Sequence, residues 1–420
     1  MPPSLHSVLG ASSAHRWLAC TPSARLCELF EKRYGKPEST YAAEGTKAHA
    51  LAELKVRRAI YAADDMSAKK HAQMSKAEQK AYSGINNARY RKMRESLDDI
   101  PGDMEHATDA YCDIVMEKYL RAREADASTA LLLEQRLDYS QWVPSGFGTG
   151  DCVIVSDTVL EVIDFKYGKG VQVDAPGNPQ LRLYALGAFA AFHVLFDFDR
   201  VRTTIVQPRI EHLSEEPLTV AELLNWAEEV VVEKAKLAWA GLGEQIPGEH
   251  CRWCAAKAVC PARATVGLKV LQAGVEGSPG ILSTEQLIGI LPYLDDAESW
   301  IHDVKAHVEA AALSGERIPG YKLVRGKKPN RVWANPEDVE AALLRTGYPT
   351  DVFRETKLKP VGAVEKELGK AAFQALLGDL VLQGEGKLIL VPESDARQGY
   401  NSAKVAFSDL ITSNTTTTTD

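Results

Sequence analysis

The hydrophobic pattern changes period along the chain, and each change marks a predicted element. Over residues 7–33 the apolar positions follow a helical repeat, with Ser12 or Ser13 available as caps. A second helix is predicted to begin near Tyr41 and to carry Glu44, His49 and Glu53. Residues 62–95 are rich in Lys, Arg, Asp and Glu and read as solvated helix, and 104–125 as another helix. The period then drops to that of a strand at 130–137. A Gly/Pro/Ser-rich loop at 144–150 leads into 151–155 and 159–166, predicted to form a hairpin about Ser156, Asp157 and Thr158. Beyond it, 180–196 reads as a buried helix, 202–208 as a strand and 218–241 as a helix. These elements predict an α/β chain with a mixed central sheet flanked by helices, over residues 1–265. A linker is expected at 266–285, its centre the Gly/Ser/Pro-rich 274–280. A mostly helical region at 286–411 and a low-complexity, disordered tail at 412–420 complete the organisation.

Composition narrows the class. Among 420 residues, 45% are hydrophobic and 25% charged, ordinary for a globular chain. No apolar run is long enough for a membrane span, and the first residues lack a signal-peptide pattern, so no membrane contact and a cytoplasmic location are expected. The net charge of −8 is unusual for a nucleic-acid binder, although metal-binding carboxylates contribute to it. One stretch, 322–331, is basic.

The hairpin gathers the first candidate chemistry. If Asp157 and Thr158 form the turn, Ser156 pairs with Val159 and Asp151 faces Asp164, with Lys166 on the same side. Two carboxylates this close repel unless a cation lies between them. Hard oxygen ligands suit Mg²⁺ or Mn²⁺, which activate water and stabilise charge on a phosphoryl oxygen. The alternative is that both acids cap strand ends and Lys166 pairs with one of them. Gln180 and Tyr184 share a helix face and could order this site. His49 alone reads as a structural residue, and Glu134, on the preceding strand, as a surface residue or an additional acid.

Seven cysteines stand at 20, 27, 112, 152, 251, 254 and 260. The odd count argues against a disulfide framework. Cys251, Cys254 and Cys260 form a C-x2-C-x5-C run followed by Pro261, which reads as metal binding. Cys20, Cys27 and His250 are candidates for the fourth ligand, and spacing leaves zinc and iron–sulfur equally open.

Together these motifs resemble the RecB-like branch of the PD-(D/E)XK nucleases, which includes AddAB nuclease domains and CRISPR adaptation exonucleases. The matches are His49 in Glu44–His49, Asp151 after Gly148-Thr149-Gly150, Asp164-Phe165-Lys166, and Gln180 with Tyr184. Thr149 departs from the Ile or Val usual at that place. The resemblance covers about residues 7–265 and implies a restriction-endonuclease-like fold. It also implies a metal site of His49, Asp151, Asp164 and the Phe165 carbonyl, with Lys166 as catalytic lysine and Gln180 and Tyr184 supporting it. Cys20, Cys251, Cys254 and Cys260 would hold a 4Fe–4S cluster. The whole sequence is also similar to a phage and prophage family built on this plan. The implied activity is Mg²⁺- or Mn²⁺-dependent hydrolysis of DNA at single-stranded or duplex ends, in phage recombination, replication or repair. A single-strand-binding protein or a helicase would be a partner, in the cytoplasm of a bacterial host. The basic stretch would contact the DNA backbone. Two rivals are a catalytically silent iron–sulfur scaffold on DNA ends and a zinc-stabilised interaction protein.

Overall fold

A computed structural model describes residues 7–35, 40–76, 79, 82–273, 283–354, 358–392, 395 and 397–400. These fall into two compact units, residues 1–300 and 301–420. In the first unit the described helices are α1 (Ala14–Ala19), α2 (Ser23–Tyr34), α3 (Thr40–Ala63), α4 (Ala68–Gln73), α5 (Asn87–Glu95) and α6 (Gly102–Ala125). The strands β1 (Ala130–Asp138), β2 (Phe147–Val155) and β3 (Val159–Phe165) follow. Helix α7 (Pro179–Phe192) then leads to β4 (Arg200–Gln207) and β5 (His212–Thr219).

The five strands form one sheet in the order β1-β2-β3-β4-β5. Only β3 and β4 run parallel, because α7 carries the chain between them. The mixed sheet flanked by helices is therefore as predicted. The hairpin register is also as counted: Cys152 pairs with Ile163 and Val155 with Leu160, while the Ser156 N–H donates to the Val159 carbonyl. Strand β5 was not foreseen. Its apolar alternation is weak, it contains Pro217, and every second residue is exposed, as suits an edge strand.

Apolar layers lie on both faces of the sheet. On one face, Trp17 of α1 and Leu181, Leu183, Ala185 and Leu186 of α7 pack over Val153, Val155, Leu160 and Val162. On the other, Leu51 and Val56 of α3 and Met104, Tyr111 and Val115 of α6 pack over Cys152, Ile154, Ile163 and Phe165. Helix α7 starts sharply because the Asn178 side chain accepts from the Gln180 and Leu181 N–H groups, with Pro179 in the first turn. It approaches β1 closely at Gly187, where a Cβ would stand 2.9 Å from the Leu137 Cβ. Gly187→Ala is expected to cost ~1–3 kcal/mol by forcing the helix off the sheet, measurable by denaturant unfolding.

After β5 come α8 (Val220–Trp226), a π turn at Ala227–Val231 and α9 (Val232–Ala240). A capping box of Thr219 and Glu222 starts α8. Helix α10 (Pro261–Ala273) runs through part of the expected linker, and α11 (Thr284–Leu313) begins before its end. Residues 274–282 and 401–420, including the expected tail, lie outside the described residues.

The second unit is less purely helical than expected. Helices α12 (Pro336–Arg345), α13 (Thr350–Phe353), α14 (Val361–Leu368) and α15 (Lys370–Leu377) enclose a small core of Val339, Leu343, Phe353, Val364, Phe373 and Leu377. Two two-stranded sheets accompany them, pairing β6 (Tyr321–Arg325) with β9 (Leu388–Pro392) and β7 (Val332–Trp333) with β8 (Val381–Leu382).

Candidate metal centre and cysteine cavity

Strand pleat and hairpin register bring the predicted acids together. Asp151 and Asp164 follow one step beyond the Cys152–Ile163 pair, at the end of the hairpin away from its turn. The Phe165 N–H donates to Asp151 Oδ2 at 2.7 Å, which fixes that carboxylate across the two strands. His49, on α3, places Nδ1 3.3 Å from Asp151 Oδ1, and its ring packs edge-on to Phe165.

Asp164 is buried and points toward α7. Lys166 Nζ lies 2.8 Å from Asp164 Oδ2, and Gln180 bridges the pair: its Nε2 donates to Asp164 Oδ1 and its Oε1 accepts from Lys166 Nζ, each at 3.1 Å. The Tyr184 hydroxyl, one turn further along α7, accepts from Gln180 at 3.4 Å. Gly148 lets the Tyr184 ring approach β2, since a Cβ there would stand 2.7 Å from the ring.

Burial and charge act against each other in this cluster. Burial raises the Asp164 carboxyl, and Asp151 raises it further, while Lys166 opposes both. Burial would lower Lys166, but Asp164 outweighs that and holds its ammonium above the usual range. Burial lowers His49 as well, and the hydrogen bond and charge of Asp151 outweigh it, so the imidazole gains basicity.

Glu134, read from the sequence as a surface residue or an additional site acid, is exposed and also stands beside the candidate site. It offers a carboxylate oxygen within 4.8 Å of ligand atoms of His49 and Asp151, which also lie that close to each other. Packed protein on its inner side, followed by repulsion from Asp151 and Glu53, pushes its carboxyl up to about 7. The backbone explains the placement. Glu134 has φ 49° and drops out of the β1–β2 ladder, between Leu133–Cys152 and Gln135–Gly150. Leu131 and Leu133 accordingly pack under α3 and α6, whereas Leu137 packs under α7 on the opposite face. A left-handed glutamate inside a strand has no marker in a single sequence.

The residues present fit a hard divalent cation. Asp164 is buried, with Oδ1 held by Gln180 and Oδ2 paired with the Lys166 ammonium, and the Asp151 and His49 side chains stand beside it. Carboxylates with one imidazole are a donor set for Mg²⁺ or Mn²⁺.

The four predicted cluster cysteines also meet. Cys20, Cys251, Cys254 and Cys260 line one pocket, together with His250, Lys257 and Arg263. Cys20 caps α1, and Cys251 and Cys254 flank the end of a 3-10 turn that spans Glu249–Trp253. Among the described residues no three cysteine sulfurs lie within 4.8 Å of one another. Thiolates on one tetrahedral zinc stand only about 3.8 Å apart, given Zn–S bonds of ~2.3 Å. No three of the described cysteine sulfurs are therefore grouped as closely as thiolates on one zinc ion. Cys27 does not line the pocket. Its Sγ packs 3.6 Å from Cys254 Sγ instead, and sharing a proton with Cys254 lowers the Cys27 thiol to about 6 and raises its neighbour. His250 Nε2 bonds the Ile246 carbonyl at 2.8 Å.

The profile of the family described as "Protein of unknown function (DUF2800)" matches residues 6–398. The chain belongs to the DUF2800 family. A solved structure titled "Crystal structure of SSO0001" is similar at 14% identity and a TM-score of 0.19, covering 56% of this chain and 94% of its own.

The basic stretch of this DUF2800 member is largely paired within its own unit. Lys322 donates to the Asp395 carbonyl, Arg325 pairs with Glu385 and Arg331 with Glu365, leaving Lys327 and Lys328 as exposed cations without an ion pair among the described residues. Among the described residues no helix is long and apolar enough to cross a membrane.

Proposed function

We propose that this chain is a metal-dependent deoxyribonuclease of the PD-(D/E)XK type, with a restriction-endonuclease-like core and a 4Fe–4S cluster, acting on DNA ends. The observation that carries the proposal is the pair of contact sets His49–Asp151 and Asp164–Lys166–Gln180–Tyr184, linked where Asp151 accepts from the N–H of Phe165, the neighbour of Asp164. Phosphodiester hydrolysis needs an oriented water, a counter-charge on the phosphoryl oxygens and a held substrate strand. Mg²⁺ or Mn²⁺, held by His49, Asp151, Asp164 and the Phe165 carbonyl, would supply Lewis acidity there. Lys166 remains charged near neutrality and is fixed by Asp164 and Gln180, so its ammonium can hold the attacking water and offset charge building on phosphorus. Water oxygen forms the new P–O bond, the bridging P–O bond breaks, and the departing oxygen takes a proton. Gln180 keeps Lys166 from swinging away, and Tyr184 backs Gln180. The cysteine set would hold the cluster as a clamp between α1 and the segment after α9, joining parts of the chain about 230 residues apart.

The test is cleavage of end-labelled linear DNA by anaerobically purified protein with Mg²⁺ or Mn²⁺, beside covalently closed circular DNA. Cutting of the linear molecule alone is expected. Retained DNA binding with no cutting by cluster-loaded protein would sink the nuclease reading and favour a silent scaffold on DNA ends.

A further inference from the structure

Helices α3 and α6 cover only part of their face of the sheet. Leu131, Leu133, Cys152 and Ile154 lie beneath them, but nothing from residues 135–138 of β1 or 147–150 of β2 joins that core. Glu134 and Asp151 mark the boundary, so the bare end of the sheet begins at the candidate metal centre. Gly148 and Gly150 meet Tyr184 and Leu137 on the α7 face, which turns Phe147 and Thr149 to the bare one. In the β1–β2 ladder Arg136 pairs with Thr149 and Asp138 with Phe147, and opposed residues share a face. There the Arg136 Cζ lies 3.7 Å from the centre of the Phe147 ring. Arg136 and Thr149 are exposed, and Phe147 is half-buried. No Asp or Glu forms an ion pair with Arg136 among the described residues, and Asp138, two residues on, accepts from the Ser140 N–H at 2.8 Å instead.

We infer that this bare end of the sheet carries a single DNA strand to the candidate metal centre, with Arg136, held flat by Phe147, as the residue that grips it. The inference rests on the proposed nuclease reading for the fate of the strand, not for its binding. A guanidinium stacked on a ring keeps its N–H edge free for a phosphate and its outer face free for a base. Duplex DNA presents phosphates but keeps its base faces stacked inside, so a flat, ring-backed cation favours an unpaired strand. Thr149, opposite Arg136, can donate its hydroxyl to a neighbouring phosphate. Thr149 is two residues and Phe147 four from Asp151, ~7 and ~13 Å along β2, which spans ~2–4 nucleotides of a stacked strand.

The experiment measures binding of a labelled single-stranded oligonucleotide to cluster-loaded, full-length protein by fluorescence anisotropy across a salt series, with no divalent metal added. Arg136→Ala should weaken binding ~10-fold and flatten the log–log salt slope by ~0.7, the share of one phosphate on a single strand. Arg136→Lys should keep the slope and still lose affinity, because an ammonium restores the charge without the plane. Phe147→Leu should lose affinity with Arg136 in place. Both Arg136 variants change an exposed side chain, so their melting temperatures should match wild type, which separates a lost strand contact from a lost fold. A blunt duplex of the same sequence should bind with little dependence on Phe147, and equal dependence would overturn the single-strand assignment. Wild-type affinity and slope in Arg136→Ala would overturn the inference, as would wild-type affinity in Arg136→Lys, which would leave a plain surface charge. Arg136-dependent binding with no cutting by wild type would keep the strand path and sink the nuclease reading. Cutting by wild type, with single-strand binding unchanged in Arg136→Ala, would overturn the path alone.

Discussion

Lys166→Ala is expected to abolish DNA cleavage, by at least ~10²-fold in rate, while DNA binding persists. The side chain is held by two contacts, Asp164 Oδ2 at 2.8 Å and Gln180 Oε1 at 3.1 Å, and among the described residues no other Lys or Arg pairs with Asp164. Lys166→Arg should rescue little, because a forked guanidinium cannot occupy the place of a compact ammonium between two fixed acceptors. Metal-free protein offers a second readout. Asp164 is buried, and burial holds its carboxyl above the ordinary 3.8, with Lys166 opposing the shift. Without Lys166 the shift grows. A carboxyl whose folded pKa is raised binds more protons folded than unfolded, so its contribution to stability falls as pH rises above its unfolded value. The melting-temperature gap between Lys166→Ala and wild type, both in chelator, should therefore be small near pH 4 and widen toward pH 7. A gap independent of pH, with cleavage intact, would show that Lys166 is a solvated surface lysine.

The parts of this site that were legible in the sequence are those governed by local periodicity. A two-residue turn and a pleat of period two fix which residues oppose one another, so Asp151, Asp164 and Lys166 could be counted into place. The i, i+4 rule did the same for Gln180 and Tyr184. What escaped depends on departures from that periodicity. Glu134 leaves the ladder through a left-handed φ, which reverses the faces of the flanking residues and sets this exposed acid beside His49 and Asp151. Strand β5 is an edge strand whose polar residues are used instead to anchor the loop after Lys166. Ser214 Oγ accepts from the Ala175 N–H and Glu216 from the Gly177 N–H, and neighbouring Gln207 of β4 holds Gly168, Val171 and Val173. Such a strand pairs by what the rest of the sheet offers it, which no local pattern carries. The β6–β9 and β7–β8 pairs join segments far apart in sequence and are short, so tertiary pairing decided them as well.

The cysteine cavity yields the other large prediction, and it separates two candidate ligands. Cys20→Ser and Cys254→Ser are each expected to remove the broad absorbance near 400 nm and the bound iron of anaerobically purified protein. Each should also lower the melting temperature by ~10–20 °C. That magnitude follows from cross-linking a loop of about 230 residues, which removes on the order of 5 kcal/mol of unfolded-chain entropy, at ~2–4 °C per kcal/mol for a unit of this size. Cys27→Ser is expected to do neither, because Cys27 stands behind Cys254 and does not line the cavity. Its loss should instead alter the cluster's neighbourhood, seen as a shifted reduction potential, since a thiol 3.6 Å from a ligand sulfur can hydrogen-bond to it. If Cys27→Ser loses the iron and Cys20→Ser keeps it, the fourth ligand comes from α2 rather than the end of α1. Stoichiometric zinc with no visible absorbance in wild type would remove the cluster altogether. A cavity in which no three sulfurs come within 4.8 Å would then have to contract around a single ion, with Cys20 or the 251–260 segment moving to close it.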